Sequence, residues 1–176
     1  MLKGEIILVS LKEIGHFEDL EETQATLEGN SLQKARFISD KYKIDCFSED
    51  SGLEVPALNN EPGVYSARYA GPRRNDRDNI DLLLKNLQDQ VDRSARFKTV
   101  ITLIINKKEY QFTGIVRGKI ISSPRGENGF GYDPVFVPEG EIRTFAEMAL
   151  DEKNQISHRS KATHQLKDFL NSLSIQ

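Results

Sequence analysis

The chain is 176 residues long, carries 24 Lys and Arg against 27 Asp and Glu, and has a net charge of −3. That length suits one domain with its own core; the near-neutral balance excludes the global basic field of a protein that coats nucleic acid, and a single cysteine, Cys46, excludes an internal disulfide framework or a cysteine zinc knuckle. No apolar run reaches membrane-spanning length and no N-terminal stretch is laid out like a signal peptide, so a cytoplasmic protein that binds neither membrane nor nucleic acid is expected.

In chain order, the apolar run 5–11 (EIILVSL) predicts a short strand. Leu32, Ala35, Ile38 and Tyr42 share one face of a helix over 27–42, with Lys34 offset from that stripe toward solvent or a cleft. Residues 44–48 predict a strand ended by the acidic turn Glu49–Asp50–Ser51–Gly52. Ile80, Leu83, Leu84, Leu87 and Val91 form the stripe of a helix over 75–91, capped by Asn75 or Asp76. Segments 95–105 and 109–116 predict a strand pair across the turn 106–108, and 118–122 a further short strand. A glycine-rich loop, 126–133, follows. The last helix begins near Ser157, puts His158 and Arg159 in its first turn, and aligns Ala162, Leu166, Phe169, Leu170 and Leu173. No linker or repeat divides the chain. Helices and strands interleave without strict alternation, which predicts an α/β protein with a mixed central sheet and flanking helices.

Four groups could carry chemistry. Glu49 and Asp50 follow a strand, with Glu21 and Glu22 upstream; carboxylates share a site with a polyphosphate only if a cation lies between them, and Mg²⁺ suits that role. Read alone, the same residues also make an acidic turn with Asp50 as a cap. In the glycine-rich loop, Phe130 could stack on a nucleobase and Asp133 accept from base or ribose; equally, Phe130 and Tyr132 could turn into the core. Lys153, His158 and Arg159 could bind an anion at a helix start, or form a solvated helix end. Lys34 is a candidate cation or an ordinary exposed lysine. His16 and His164 lack partners at metal spacing and read as surface or structural.

The segments SEDSGLEVPALNNEPGVYSARYAG (48–71), GENGFGYDPVFVP (126–138), TFAEM (144–148) and ISHRSKA (156–162) resemble, in order, the inosine triphosphate pyrophosphatase (Ham1-like) family, and EETQATLEGNSLQKARF (21–37) fits its early helix. The resemblance runs from about residue 5 into the C-terminal helix. It implies one domain, 1–176, with two lobes around a nucleotide-binding cleft, usually as a homodimer. It also implies Mg²⁺-dependent cleavage of ITP, dITP or XTP to the monophosphate and pyrophosphate. Asp50 matches the general base and metal-binding aspartate, and Glu22 a second acidic metal ligand. Glu49 stands where many members have aspartate. Ser51 matches a substrate-contacting serine and Lys34 a lysine facing the phosphates. Phe130, Gly131, Tyr132 and Asp133 match the segment lining the base pocket; Lys153, His158 and Arg159 match the purine-recognition end. Cationic donors aimed at a 6-oxo group would meet a donor in adenine, and such a mismatch discriminates strongly.

The family opens with a strand and a Thr/Ser-x-Asn-x-x-Lys phosphate loop, and neither pattern occurs near Met1. Met1 and Leu2 would be the tail of the helix that follows that loop. The expected alternative to a full enzyme is therefore an N-terminally truncated relative that binds purine nucleotides with weak or absent turnover.

Overall fold

Among the described residues, five strands form one sheet in the order β2-β1-β3-β4-β5, where β1 is Cys46–Val55, β2 Glu61–Pro62, β3 Ser94–Ile105, β4 Lys108–Ile120 and β5 Phe136–Pro138. The helices are α1 (Leu27–Tyr42), α2 (Asp76–Asn86), α3 (Leu150–Ile156) and α4 (His158–Leu173). These positions come from a computed structural model that describes residues 6–173. The expected α/β architecture holds, but every strand pairing among the described residues is antiparallel, where a mixed sheet was expected. Parallel neighbours need long crossovers, whereas β3 and β4 are joined by a two-residue turn with Asn106 and Lys107 both at positive φ (50° and 63°). That backbone matches the twist of a hairpin. Segment 118–122 is no separate strand; β4 runs on to Ile120.

The two sheet faces are covered differently. Side chains opposite one another across a ladder share a face, so Asp50 lies with Val100, and Glu49 with Ile101. On the Asp50 face, α1 packs Ala35 and Ile38, and Ser31 Oγ donates to Thr102 Oγ1 at 2.8 Å. On the Glu49 face, Ala162 and Leu166 of α4 cover Ile101 and Leu103. Toward the other end of that face, Phe97, Phe136 and Phe145 form the larger core with Leu83 and Leu87.

Several expectations are corrected. The acidic segment 49–52 is the middle of β1, not a turn: its pairing with Lys98–Ile101 outweighs the turn preference of its residue types. Gly52 is required by proximity, since a Cβ there would lie 2.4 Å from the Gly63 carbonyl oxygen. Residues 6–11 form no strand: the Ser10 and Leu11 carbonyls accept from Ile14 N and His16 N in a local turn, and Ile7 and Leu8 are 84% and 64% exposed. The reading of Met1, Leu2 and Glu5 lies outside the described residues. Helix α2 ends at Asn86, so Leu87 caps it in the core while Val91 is exposed. Helix α3 was not anticipated. No helix among the described residues is long and apolar enough to cross a membrane.

Phe136 is fully buried, tilted against Phe97 at 4.7 Å and Phe145 at 5.2 Å between ring centroids. Phe136→Ala is expected to lower the unfolding free energy by about 3–5 kcal/mol, read as a lower urea midpoint.

Candidate active site

Among the described residues, β1 pairs along Cys46–Leu53 with β3 on one side only, because β2 reaches just Glu54 and Val55. A cleft of about 330 Å³ opens on this edge and is lined from both sheet faces. It gathers Glu22, Lys34, Glu49, Asp50, Ser51, Phe130, Gly131, Tyr132, Asp133, His158 and Arg159. Lys153 lines the adjoining groove with Phe130, His158 and Arg159, and Glu21 is exposed.

One end of the cleft is acidic. Thr26 caps α1 by accepting from Gly29 N at 3.0 Å, and the helix then presents Asn30 and Lys34 one turn apart. Lys34 Nζ lies 2.7 Å from Glu22 Oε1 and 3.0 Å from Asp50 Oδ1, so two carboxylates converge on one cation. Asn30 Nδ2 donates to the other Asp50 oxygen at 3.2 Å, and Arg68 Nη1 lies 3.2 Å from Glu22 Oε2. Burial pushes the Asp50 carboxyl above its ordinary range, with Lys34 opposing it and the Glu22 charge adding to it. Burial also works against the Glu22 charge, but Lys34 and Arg68 together hold that carboxyl below its usual range. Ser51 Oγ is 2.6 Å from Thr99 Oγ1.

This acidic end has the chemistry of a hard-cation site. Its donors are oxygen only, and Lys34 Nζ marks a point both carboxylates reach. Among the described residues there is no cluster of three or more His, Cys, Asp or Glu placed to hold a metal. A pair of carboxylates is nonetheless what Mg²⁺ uses when waters and substrate phosphates complete its shell.

The other end is aromatic and cationic. Phe130 is 59% exposed while Tyr132 is buried, so the two readings of the loop divide between neighbours. Lys153 Nζ lies 4.7 Å and Arg159 Cζ 5.6 Å from the Phe130 ring centre. Tyr132 OH donates to the Ser66 carbonyl at 2.9 Å, and burial pushes its phenol pKa up. Gly131 N donates to Asp76 Oδ2 at 2.7 Å, tying the loop to the first residue of α2.

Three sequence readings change in detail. Asp133 is no open acceptor: it is 2% exposed, accepts from Phe130 N at 2.9 Å and is ion-paired with Lys153. Gly129 leaves room for it, as a Cβ there would lie 2.1 Å from Asp133 Oδ2. His158 is not part of a cationic group. It is stacked on Phe97 at 4.7 Å and 9°, and burial, aided by Arg159 and Lys153, lowers its pKa to about 3. Arg159 is paired with Glu49, its Nη2 2.6 Å from Oε1. Ser157 begins α4 as expected, accepting from Ser160 N at 3.2 Å. In β4, Gly114 admits the helix: a Cβ there would lie 1.9 Å from the His158 carbonyl oxygen.

Asn30, Arg68 and Asp76 were missed. Asn30 could have been found as the residue one turn before Lys34 on the same helix. Arg68 lies inside the SARYAG segment but carries no local signal for its partner, Glu22.

A sheet whose strand β1 meets an acid–lysine cluster at one end of a cleft and an aromatic–arginine pair at the other defines an α/β protein with a two-ended, ligand-sized site. The chain belongs to the Ham1 family, whose model matches residues 1–169. It is 54% identical over 169 residues to a dITP/XTP pyrophosphatase of Flavobacterium psychrophilum, covering 96% of this chain and 89% of the relative. It is 50% identical over 171 residues to a dITP/XTP pyrophosphatase of Porphyromonas gingivalis, covering 97% and 88%. Among solved structures, the Staphylococcus aureus Ham1 protein superposes with a TM-score of 0.88 at 42% identity, covering 92% of this chain and 84% of that one.

The neutral state of His158 has a measurable consequence. The unfolded chain takes up this proton near pH 6.5 and the folded chain only near pH 3. The stabilisation is present above pH 6.5 and is lost as the pH falls toward 3. The wild-type protein is expected to lose stability across that window more steeply than His158→Gln, measured by urea titrations at stepped pH.

Proposed function

We propose that this chain is a pyrophosphatase that hydrolyses non-standard purine nucleoside triphosphates (dITP, ITP and XTP) to the monophosphate and pyrophosphate. The observation that carries the reading is the single cleft with an acid–lysine end and an aromatic–arginine end, in a chain about half identical to two dITP/XTP pyrophosphatases. A nucleoside triphosphate has the same two-part chemistry: a flat oxopurine and a polyanionic tail.

Glu22 and Asp50 would hold a divalent cation, Mg²⁺ in this reading. Bound there, the ion neutralises phosphate charge that two carboxylates would otherwise repel. Lys34 supplies a second positive charge to the phosphates. Asp50 takes the proton of the attacking water, a role that suits a carboxyl raised toward neutrality by burial. Ser51 hydrogen-bonds the substrate from the same strand. Phe130 stacks on the base. Arg159 donates to the 6-oxo group and a ring nitrogen, as a guanidinium can toward an oxopurine edge. Lys153 and Asp133 serve as the buried brace of the loop that carries Phe130, Gly131 and Tyr132, and neutral His158 forms a wall of the cleft. The reading includes one domain, a homodimer and a cytoplasmic setting where nucleotide pools turn over.

The direct experiment is pyrophosphate release from dITP, XTP and dATP with and without Mg²⁺; the oxopurines are expected to be turned over and dATP spared. Asp50→Asn is expected to lower kcat by at least about 100-fold while dITP affinity, measured calorimetrically, changes little. Arg159→Ala is expected to cost dITP about tenfold in kcat/KM and leave dATP nearly unchanged, as loss of one charge-assisted contact would.

A further inference from the structure

Glu49 precedes Asp50, yet its side chain belongs to the opposite face of β1. Both its oxygens are engaged by one partner from α4: Oε1 lies 2.6 Å from Arg159 Nη2 and 2.8 Å from Nε, and Oε2 lies 3.1 Å from Nε. None of these three contacts uses Nη1. Both residues line the cleft, and the same guanidinium lies over Phe130.

We infer that Glu49 is a positioning residue for base selection: it grips Arg159 side-on and leaves Nη1 to donate to an oxopurine carbonyl beside Phe130. This rests on the nucleotide reading above. A free arginine loses much rotamer freedom when it fixes a ligand, and a guanidinium already held by a carboxylate loses less. The grip also sets direction. A carboxylate on the Nε edge leaves the far edge of the plane for a second acceptor, which an amidated or absent partner would not enforce. Gly114 of β4 lets the first turn of α4, which carries Arg159, settle close on the sheet. Glu49 therefore serves the base end, while its neighbour Asp50 serves the phosphate end.

The test is steady-state pyrophosphate release from dITP and dATP by wild type, Glu49→Gln, Arg159→Ala and the double variant, with thermal midpoints as a check on folding. Glu49→Gln is expected to lower kcat/KM for dITP about tenfold, mainly through KM, with dATP within about twofold. On the Arg159→Ala background, Glu49→Gln is expected to change nothing further, because both substitutions remove one coupled unit. Equal loss of kcat on both substrates, an unchanged dITP:dATP ratio, or additive effects in the double variant would overturn the inference. If Glu49→Gln does not fold, Glu49→Ala carries the same expectations and the same overturning outcomes. A wild-type protein that spares dITP sinks the nucleotide reading, and this inference with it, before any variant is compared.

Discussion

The alternation of β1 is the constraint from which the site follows. Alternate residues of a strand point to opposite faces, and in a sheet interior those faces are separate compartments. Here one cleft receives side chains from both faces of β1, Asp50 from one and Glu49 from the other. Two adjacent acidic residues can then do different work without competing for one point. Asp50 meets Asn30 and Lys34 of α1, and Glu49 meets Arg159 of α4. A turn at this position, as the residue types suggest, would have left both carboxylates splayed in solvent.

Charge is balanced locally rather than globally. Glu22 and Asp50 are matched by Lys34 and Arg68, Glu49 by Arg159, and Asp133 by Lys153. Partly buried carboxylates without such partners would take up protons rather than stay ionised. The pairs differ in exposure, and this separates their roles. Lys153 and Asp133 are 10% and 3% exposed at the side chain, and Asp133 also accepts from Phe130 N within the loop. Arg159 and Glu49, at 42% and 37%, remain within reach of a ligand. An exposed pair contributes little to stability, so the second pair is better understood through geometry than through folding energy.

What was legible in the sequence, and what was not, divides along one physical line. Periodicity recovered α1 and the start of α4, because their apolar stripes face the sheet and Ser157, just before α4, is a local signal. The hairpin of β3 and β4 was equally plain. The strand through Glu49–Gly52 was hidden, since its residues are poor strand formers and only the partner strand makes them one. The resemblance picked out side chains that do gather in one cleft, but not how they pair. Local spacing carries no record of Arg68 on Glu22 or Arg159 on Glu49, partners separated by 46 and 110 residues. His158 shows the same limit: in ISHRSKA it reads as basic, and only its stacking on Phe97 and its burial make it neutral.

The glycines complete the argument, because they decide how near the two halves of the cleft can come. Gly52 lets the 63–66 segment lie against β1, Gly114 lets the first turn of α4 settle on β4, and Gly129 makes room for the Asp133 carboxylate beneath Phe130. Each removes a side chain where a backbone or a buried charge must approach closely. The aromatic–arginine end is thus built from α4 and a loop held against a rigid sheet, and the acidic end from α1 held against the same strand. The distance between the ends is then set by β1 itself, a stiff ruler whose neighbouring residues reach both.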